Sequence, residues 1–281
     1  MEPKHEALLR KTDYDSNDLQ HIVEILRSPG GCPWDAAQTH ESIKKNFIEE
    51  TYEAIEGINK GDDALLCEEL GDVLLQIALH VQMATERGAF TWQDVTDGIC
   101  CKLIERHPHV FGGQTAQNPN EALNNWDTVK RQSKRQKSTT QAMDSIPREL
   151  PALMRAQKIQ EKAAKAGFDW REEMPQKRLE LDLLGEIDEL REALQSGNAQ
   201  QAGDELGDVL FSAVNVARVL EDCDAEQALT GASDRFCARF SIVEQLAAYE
   251  GIDLKAAPVA QLDRLWTCAK KNLGNENKFE R

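Results

Sequence analysis

Acidic side chains recur at three-residue spacing in two parts of this 281-residue chain. The first set comprises Glu50, Glu53, Glu69 and Asp72, and the second comprises Glu186, Glu189, Glu205 and Asp208. Helical residues three apart point the same way, so each set predicts four carboxylates directed into one gap between two helices. Carboxylates that share a site repel one another and require a counter-charge. Because all the donors are hard oxygens, we expect the ion to be Mg²⁺, with Mn²⁺ as the alternative.

Two other interpretations of these acids deserve comparison. An isolated Glu-x-x-Glu usually belongs to a solvated helix face. Here the acids alternate with apolar positions predicted to be core, among them Ile48, Leu70 and Leu74, and the arrangement occurs twice. A di-iron bundle would need Glu-x-x-His on two helices. That spacing occurs only from Glu2 to His5, outside either predicted bundle, so iron is disfavoured.

A gap-free internal repeat contains both acidic sets. An offset of 136 residues aligns Gly31 with Gly167 and places Leu70–Leu74 on Leu206–Leu210. A repeat of this quality predicts two related domains joined in tandem.

The spacing of apolar residues predicts an all-α fold of two repeated helical bundles, because no segment alternates convincingly as a strand. The predicted divisions are a flexible leader (1–17), a first helical domain (18–137), a linker (138–151), a second helical domain (152–274) and a tail (275–281). In the first domain Thr39 is the predicted N-cap of a helix that ends at Gly61, and Thr91 to Asp94 resembles a capping box. Residues 31–35 and 109–120 are predicted loops.

The composition limits the partners. A net charge of −16 argues against duplex nucleic acid or an anionic membrane as the main partner, since Lys and Arg largely hold both. A nucleotide that arrives with metal ions remains compatible, because a bound cation reverses the local charge. No window approaches the ~20 apolar residues of a membrane helix. Seven cysteines without Cys-x-x-Cys spacing indicate reduced thiols in a cytoplasmic protein.

Basic and aromatic residues follow the acids in both halves. The candidates for phosphate and nucleotide binding are Lys102, Arg106, Trp126 and Lys130 in the first half, and Arg235, Arg239, Trp266 and Lys270 in the second. Cationic side chains can neutralise non-bridging phosphate oxygens, and an indole offers a face on which a base can stack. A Trp and a Lys four apart are more often a packed indole beside a solvated ammonium. Recurrence in both halves makes a functional role as plausible as that structural one.

Several motifs together carry a resemblance to a known family. They are Glu-Glu-x-x-Glu from Glu49, Glu-Leu-Gly-Asp from Glu69, Lys-x-x-x-Arg from Lys102 leading into His107–Phe111, and the segments Gly31–Asp35 and Ile146–Leu153. The combination closely resembles the full-length, two-domain bacterial members of the MazG family, which are nucleoside triphosphate pyrophosphohydrolases of the all-α type. The resemblance covers residues 18 to 273, nearly the whole chain.

The resemblance implies Mg²⁺-dependent hydrolysis of a nucleoside triphosphate between the α- and β-phosphates, giving the monophosphate and pyrophosphate. It implies a homodimer, metal binding by the two acidic sets, phosphate contacts from Arg235, Arg239 and Lys270, and a nucleotide near Trp266. The implied catalytic residues are Glu49, Glu50, Glu53, Glu186 and Glu189.

By the same analogy Glu49 is the candidate that orients or deprotonates the attacking water. The equivalent position in the second half is Gly185. If Glu49 is the base, the second site is impaired and Asp182 or Asp188 would have to substitute. If Glu49 is not the base and only supports the residues that bind the metal, the second site works.

Two rival functions stay open at the level of sequence. The first is a narrower pyrophosphohydrolase that acts on a deoxynucleotide or on phosphoribosyl-ATP, for which a single-domain length would be typical. The second is a non-catalytic acidic scaffold, which loss of acids in both halves would favour.

Overall fold

The structure is a computed structural model that describes residue 6 and residues 8–133, 138–169, 175–220 and 223–276, without the side chains of residues 124, 127, 131–133, 175–179 and 273–276. All regular secondary structure within these ranges is helical, which confirms the all-α prediction. The chain divides into two compact units, Met1–Ser133 and Lys134–Arg281. Parts of the predicted leader and tail lie outside the described residues.

The first unit is built around one long helix, α4. Its helices in chain order are α1 (Ser16–Arg27), α2 (Pro33–Ala37), α3 (Lys44–Lys60), α4 (Asp63–Glu86), α5 (Trp92–Arg106), α6 (Pro108–Phe111) and α7 (Pro119–Ser133). Helix α4 packs against α3, α1 and α5, and α5 packs against α6 and α7. Helices α3 and α4 therefore form an antiparallel hairpin that carries the first acidic set.

Local signals explain where the hairpin turns. Gly61 ends α3 in the left-handed conformation (φ 63°), which an L side chain rarely adopts. The Asp62 side chain then accepts hydrogen bonds from the backbone N–H groups of Ala64 and Leu65 and caps α4. At Gly57 the two helices approach so closely that an added Cβ would lie 2.9 Å from the backbone nitrogen of Leu66. The two acid-bearing helices are thus held at short range.

A small core and an ion pair with a buried arginine hold α1 against the end of α4. The core contains Val23, Ile43, Ala78, Leu79 and Met83. Arg27, whose side chain is 6% exposed, donates to both carboxylate oxygens of Glu86 at 2.8 and 2.9 Å. The guanidinium hydrogen bonds hold the pKa of Glu86 below its usual value. Arg27 also donates to the carbonyls of Asp35 and Gln38, which fixes the segment before α3.

Two histidines from different elements share one hydrogen bond in this unit. His40, in the turn before α3, and His80, on α4, have their Nδ1 atoms 2.8 Å apart and their ring planes within 3° of each other. Burial, followed by the His40 imidazole, lowers the pKa of His80. One ring must donate and the other accept, so the contact requires at least one neutral imidazole.

The structure corrects three local predictions in this unit. Thr39 is not the N-cap of α3, which begins at Lys44; its hydroxyl accepts from the Ser42 N–H and caps the preceding turn. Short helices begin at Pro33 and Pro108 within or beside segments predicted as loops, because the fixed φ of proline suits the first helical position. The capping box from Thr91 to Asp94 is confirmed at the start of α5.

Some predicted core positions of the acid-bearing hairpin are not buried. Ile48, Leu70 and Leu74 are 52%, 54% and 38% exposed. Helix α4 uses another part of its surface to contact α1 and α5. An apolar face of the α3–α4 hairpin is therefore left open within the described part of the first unit.

The second unit repeats the hairpin and adds two long helices. Its helices are α8 (Thr139–Asp144), α9 (Ala152–Lys165), α10 (Pro175–Ser196), α11 (Ala199–Val219), α12 (Ala225–Glu250) and α13 (Val259–Glu276). Helices α10 and α11 form the hairpin, while α9 packs on α11 and α12, and α12 on α13. The short helix α8 lies within residues 138–151, the segment predicted as a linker, and packs on α9.

Two apolar clusters and one ion pair stabilise this unit. One cluster joins α12 to α13 through Val243, Ala247, Leu265 and Ala269, and another joins α9, α11 and α12 around Val214. The Arg218 guanidinium, 5% exposed, donates to both oxygens of Asp169 at 2.9 and 3.2 Å. This pair holds the segment that follows α9 on α11.

Candidate metal and nucleotide sites

Three carboxylates of the first acidic set meet between α3 and α4. Oxygen atoms of Glu50, on α3, and of Glu69 and Asp72, on α4, all lie within 4.8 Å of one another. All three side chains are partly buried. The helical hairpin places them together because Glu69 and Asp72 are three apart on one helix and face the neighbouring helix.

The second acidic set forms an equivalent group between α10 and α11. Oxygen atoms of Glu186, Glu205 and Asp208 lie within 4.8 Å of one another. We call these two groups the first and second acidic trios. Their positions differ by 136 residues, so the repeat seen in the sequence is also a repeat of three-dimensional sites.

The fourth predicted acid of each set lies beside the trio. Glu53 and Glu189 are exposed and are not among the three residues of either trio. Burial is the main cause that raises the pKa of Glu50, Glu69 and Glu186, and the charge of Glu53 or Glu189 adds to it. The structure thus brings three of the four predicted acids of each set into direct proximity and keeps the fourth nearby.

The electrostatics of the trios favour a bound cation. Burial, followed by repulsion from Asp72 and then Glu53, raises the pKa of Glu50. In the second unit burial, then Asp208 and Glu189, raises the pKa of Glu186. A raised carboxyl pKa means that the site disfavours the ionised carboxylate. A bound divalent cation would remove this unfavourable electrostatic energy. Three converging oxygen donors fit Mg²⁺ or Mn²⁺.

Glu49 lies outside the first trio and has a cationic partner. Its exposed carboxylate forms an ion pair with Lys45, one helical turn earlier, at 2.9 Å. At the equivalent position an added Cβ on Gly185 would meet open space. Of the two acids that could substitute there, Asp188 is paired with Arg191, whereas the charge of Asp182 raises the pKa of Glu186. Asp182 is therefore the one that acts on the second trio.

In the first unit the predicted indole and two of its predicted cations form one cluster. Lys130 Nζ lies 4.3 Å from the centroid of the Trp126 ring, and Arg106 Cζ lies 5.3 Å from it. Arg106 Nε is buried and has no hydrogen-bond partner in the part of the chain that the structure describes. Lys102 is exposed one turn earlier on α5. A cation–indole cluster of this kind can present positive charge to a phosphate while the ring stays ordered.

The second unit has a related but less compact arrangement. Lys270 Nζ lies 5.9 Å from the Trp266 ring, and the ring of Phe236 lies 5.1 Å from it at a tilt of 43°. Arg235 is exposed, and Arg239 Nε is buried without a partner among the described residues. Phe236 was not predicted from sequence, and only its position beside Arg235 could have drawn attention to it.

The acidic and basic groups remain separate within each unit. No ion pair between described residues joins Arg106 or Arg239 to a trio.

The structure also shows no described helix that is long and apolar enough to cross a membrane. All seven cysteines are free thiols.

Comparison with known proteins gives a consistent result. The family model of the MazG nucleotide pyrophosphohydrolase domain matches residues 38–111 and 175–241, which contain the two trios. A protein of Thermotoga maritima named nucleoside triphosphate pyrophosphohydrolase/pyrophosphatase MazG is 42% identical over 254 residues, covering 90% of this chain and 94% of the relative. The nucleoside triphosphate pyrophosphohydrolase of Escherichia coli K12 is 40% identical over 256 residues, covering 90% and 96%. That of Mycolicibacterium smegmatis is 37% identical over 153 residues, covering 54% and 46%.

Proposed function

The chain belongs to the MazG family of nucleotide pyrophosphohydrolases, and from that premise we propose that it hydrolyses nucleoside triphosphates with Mg²⁺ at the bond between the α- and β-phosphates. The products are the nucleoside monophosphate and pyrophosphate. The observation that carries the proposal is the pair of acidic trios at equivalent positions of the repeat. Relatives named nucleoside triphosphate pyrophosphohydrolases match nine-tenths of the chain at 40–42% identity, which supports the same substrate class.

In the first unit, Glu50, Glu69 and Asp72 would hold the metal, with Glu53 beside them. When bound, Mg²⁺ supplies Lewis-acid polarisation of phosphate oxygens and of water. Partial burial of the three carboxylates limits competition from solvent for the ion. The side chains are preorganised by two packed helices, so little conformational freedom is lost when the ion binds.

Protein groups outside the trios perform the remaining tasks. Glu49 accepts a proton from the attacking water or orients it, and the ion pair with Lys45 holds its side chain on α3. In the first unit Lys102, Arg106 and Lys130 neutralise phosphate oxygens, and Trp126 holds the cations in place.

In the second unit Arg235, Arg239 and Lys270 have the phosphate-binding role, and Trp266 offers its indole to the nucleotide. Gly185 supplies no carboxylate at the position of Glu49, so the two sites are unequal. Asp182, whose charge adds to the effect of burial and Asp208 in raising the pKa of Glu186, is the acid that would replace it.

We further propose a homodimer in the cytoplasm. The open apolar face that includes Ile48, Leu70 and Leu74 supports a partner surface, because contiguous exposed apolar patches usually mark interfaces. A second copy would cover the hairpin face on both chains at once. Seven free thiols support a reducing compartment.

The direct test is product identity. The full chain is incubated with each common nucleoside triphosphate and MgCl₂, and the products are separated by ion-exchange chromatography. Monophosphate and pyrophosphate in equal amounts support the proposal. Diphosphate with orthophosphate contradicts it. Turnover restricted to deoxynucleotides or phosphoribosyl-ATP would identify the narrower enzyme, and no turnover with any nucleotide would favour the acidic scaffold.

A further inference from the structure

Two arginines face one cavity at the start of the second unit. The cavity has a volume of about 370 Å³ and is lined by Arg148, Leu150, Ala152 and Arg155. Arg155 lies in the first turns of α9, and Arg148 precedes it by seven residues. Glu149 and five apolar residues separate the two arginines along the chain, while the fold brings both to the lining of one cavity.

Neither guanidinium is neutralised by a residue that the structure describes; Arg148 is exposed and Arg155 is partly buried. Among the described residues, Arg148 and Arg155 have no side-chain hydrogen bond or ion pair, and Arg155 Nε is buried without an acceptor. By contrast, Arg27 and Arg218 each hold a carboxylate. A buried N–H without an acceptor is unfavourable, and two neighbouring cations add repulsion. In a chain with a net charge of −16, an unpaired arginine pair at one cavity points to an anion from solution.

The start of α9 adds to the positive character of the cavity. Pro151 at the N-cap offers no side-chain acceptor to the first amides of the helix. The Glu226 side chain accepts from the Met154 N–H at 3.3 Å. Ala152, the first residue of α9, lines the cavity itself. The amide dipoles at this end of the helix have the same sign as the two arginines, while the Glu226 carboxylate offsets part of their field.

This cavity is separate from the second acidic trio. Leu153 packs on the cluster that contains Val214 and Ala217, and Gln160 donates to the carbonyl of Phe211 at 2.8 Å. Helix α9 thus runs antiparallel to α11 with its start beside the end of α11. Asp208 precedes Ala217 by nine residues, which places it about 13 Å away along the helix axis. The arginines do not belong to the carboxylate site.

We propose that the Arg148–Arg155 cavity binds a phosphate-bearing anion. Planar guanidinium groups bind phosphate oxygens in pairs, with a geometry that an ammonium cannot reproduce. The volume accommodates inorganic phosphate, pyrophosphate or the phosphate of a nucleotide. Pyrophosphate is a product of the proposed hydrolysis. Anion binding in this cavity is inferred from its two arginines and does not depend on that hydrolysis.

The test uses the full chain in EDTA, where the acidic trios repel anions. Binding of pyrophosphate, inorganic phosphate and adenosine monophosphate is measured separately by calorimetry. Hydrogen–deuterium exchange of the peptide covering residues 148–156 locates the bound anion. We expect at least one of these ligands to protect that peptide in the wild-type chain. The ligand that binds most tightly identifies whether the source is free phosphate, the reaction product or a nucleotide.

Substitutions then assign the site. Arg148→Gln and Arg155→Gln are each expected to weaken binding at this peptide by about tenfold, which corresponds to the loss of one charged hydrogen bond. Lys158→Gln is the matched control, because Lys158 is exposed on the same helix and the charge change is identical. Arg155→Lys keeps the charge and is expected to weaken binding less than Arg155→Gln. Far-UV circular dichroism verifies folding, and Arg155→Lys and Arg148→Gln carry the test if Arg155→Gln unfolds.

The proposal is overturned by either of two results. One is the absence of ligand-dependent protection of residues 148–156 with all three anions. The other is weakening by Lys158→Gln as large as that caused by the arginine substitutions, since a general charge effect would then explain the binding.

Discussion

The substitution Glu50→Gln removes one charge from the first trio while keeping the size of the side chain. The trio oxygens lie within 4.8 Å of one another, and two unit charges at that separation repel by about 0.9 kcal/mol at the dielectric constant of water. Glu50 faces two such charges. We therefore expect Glu50→Gln to raise the free energy of unfolding of the metal-free first unit by about 1–2 kcal/mol at pH 7.

The pH dependence has a definite sign. The pKa of Glu50 is raised in the folded state, by burial first and by Asp72 next. The folded protein therefore binds this proton more tightly than the unfolded chain does. The destabilisation is present above the folded pKa and is relieved as the pH falls through that pKa towards the unfolded value. Glu50→Gln should thus stabilise the metal-free chain at pH 7 and lose this advantage near pH 4.

Metal reverses the effect of the substitution. Mg²⁺ at a hundred times its dissociation constant would stabilise the wild-type site by about 2.7 kcal/mol. For a unit of this size the unfolding midpoint would rise by roughly 10 °C. Glu50→Gln should lose most of that rise in the first unit, because the ion then has two carboxylates of the trio instead of three.

Thermal unfolding in EDTA and in MgCl₂ measures both effects, with hydrogen–deuterium exchange of α3 and α10 peptides reporting on each unit. Glu56→Gln is the control, since Glu56 lies on the same helix, is exposed and pairs with Lys60. It should leave the Mg²⁺ response unchanged. If Glu50→Gln lowers stability in EDTA, or keeps the full Mg²⁺ response, the metal-site assignment is refuted.

Three further predictions follow from the described contacts. Gly185→Glu introduces the carboxylate that the first unit has at Glu49, and its Cβ meets open space. It should raise the turnover of the second unit, measured in a chain whose first trio is inactivated. Unchanged turnover would argue against a role for Glu49 in directing the attacking water. Arg218→Met removes the guanidinium that pairs with the Asp169 carboxylate in a largely buried setting and should destabilise the second unit by about 3 kcal/mol in urea unfolding, with the first unit unaffected. Burial and the His40 imidazole lower the pKa of His80 in the folded state. The free energy of unfolding should therefore fall as the pH drops below ~6.5, the usual pKa of an unfolded histidine. His80→Asn should reduce that loss in thermal melts from pH 7 to 5.

The repeat and the local chemistry of the helix ends were readable from sequence. The offset of 136 residues and the three-residue acid spacing predicted two equivalent sites, and Gly61 and the Thr91–Asp94 pattern marked helix boundaries. These features depend on residues close together in the chain. Thr39 misled because its hydroxyl caps a turn just before the helix, and sequence does not distinguish the two uses.

Other features depend on contacts between distant residues. Periodicity identified Leu70 and Leu74 as an apolar helix face, but it does not reveal whether that face packs within the chain or against a second one. The pairing of His40 with His80 and the meeting of Arg106 with Trp126 require the packing of separate helices. Sequence also predicted four acids per site, whereas the rotation of the helices brings three together and leaves the fourth beside them.

The most direct test of the account compares the turnover of Glu50→Gln, Glu186→Gln and the double variant with a nucleoside triphosphate and MgCl₂. Glu56→Gln/Glu192→Gln, which removes two exposed carboxylates from the same helices, is the matched control. We predict that each single variant loses the contribution of its own unit, that the two residual rates add up to the wild-type rate, and that the double variant is inactive. Substantial turnover in the double variant, with monophosphate and pyrophosphate as products, would contradict the assignment of catalysis to the acidic trios.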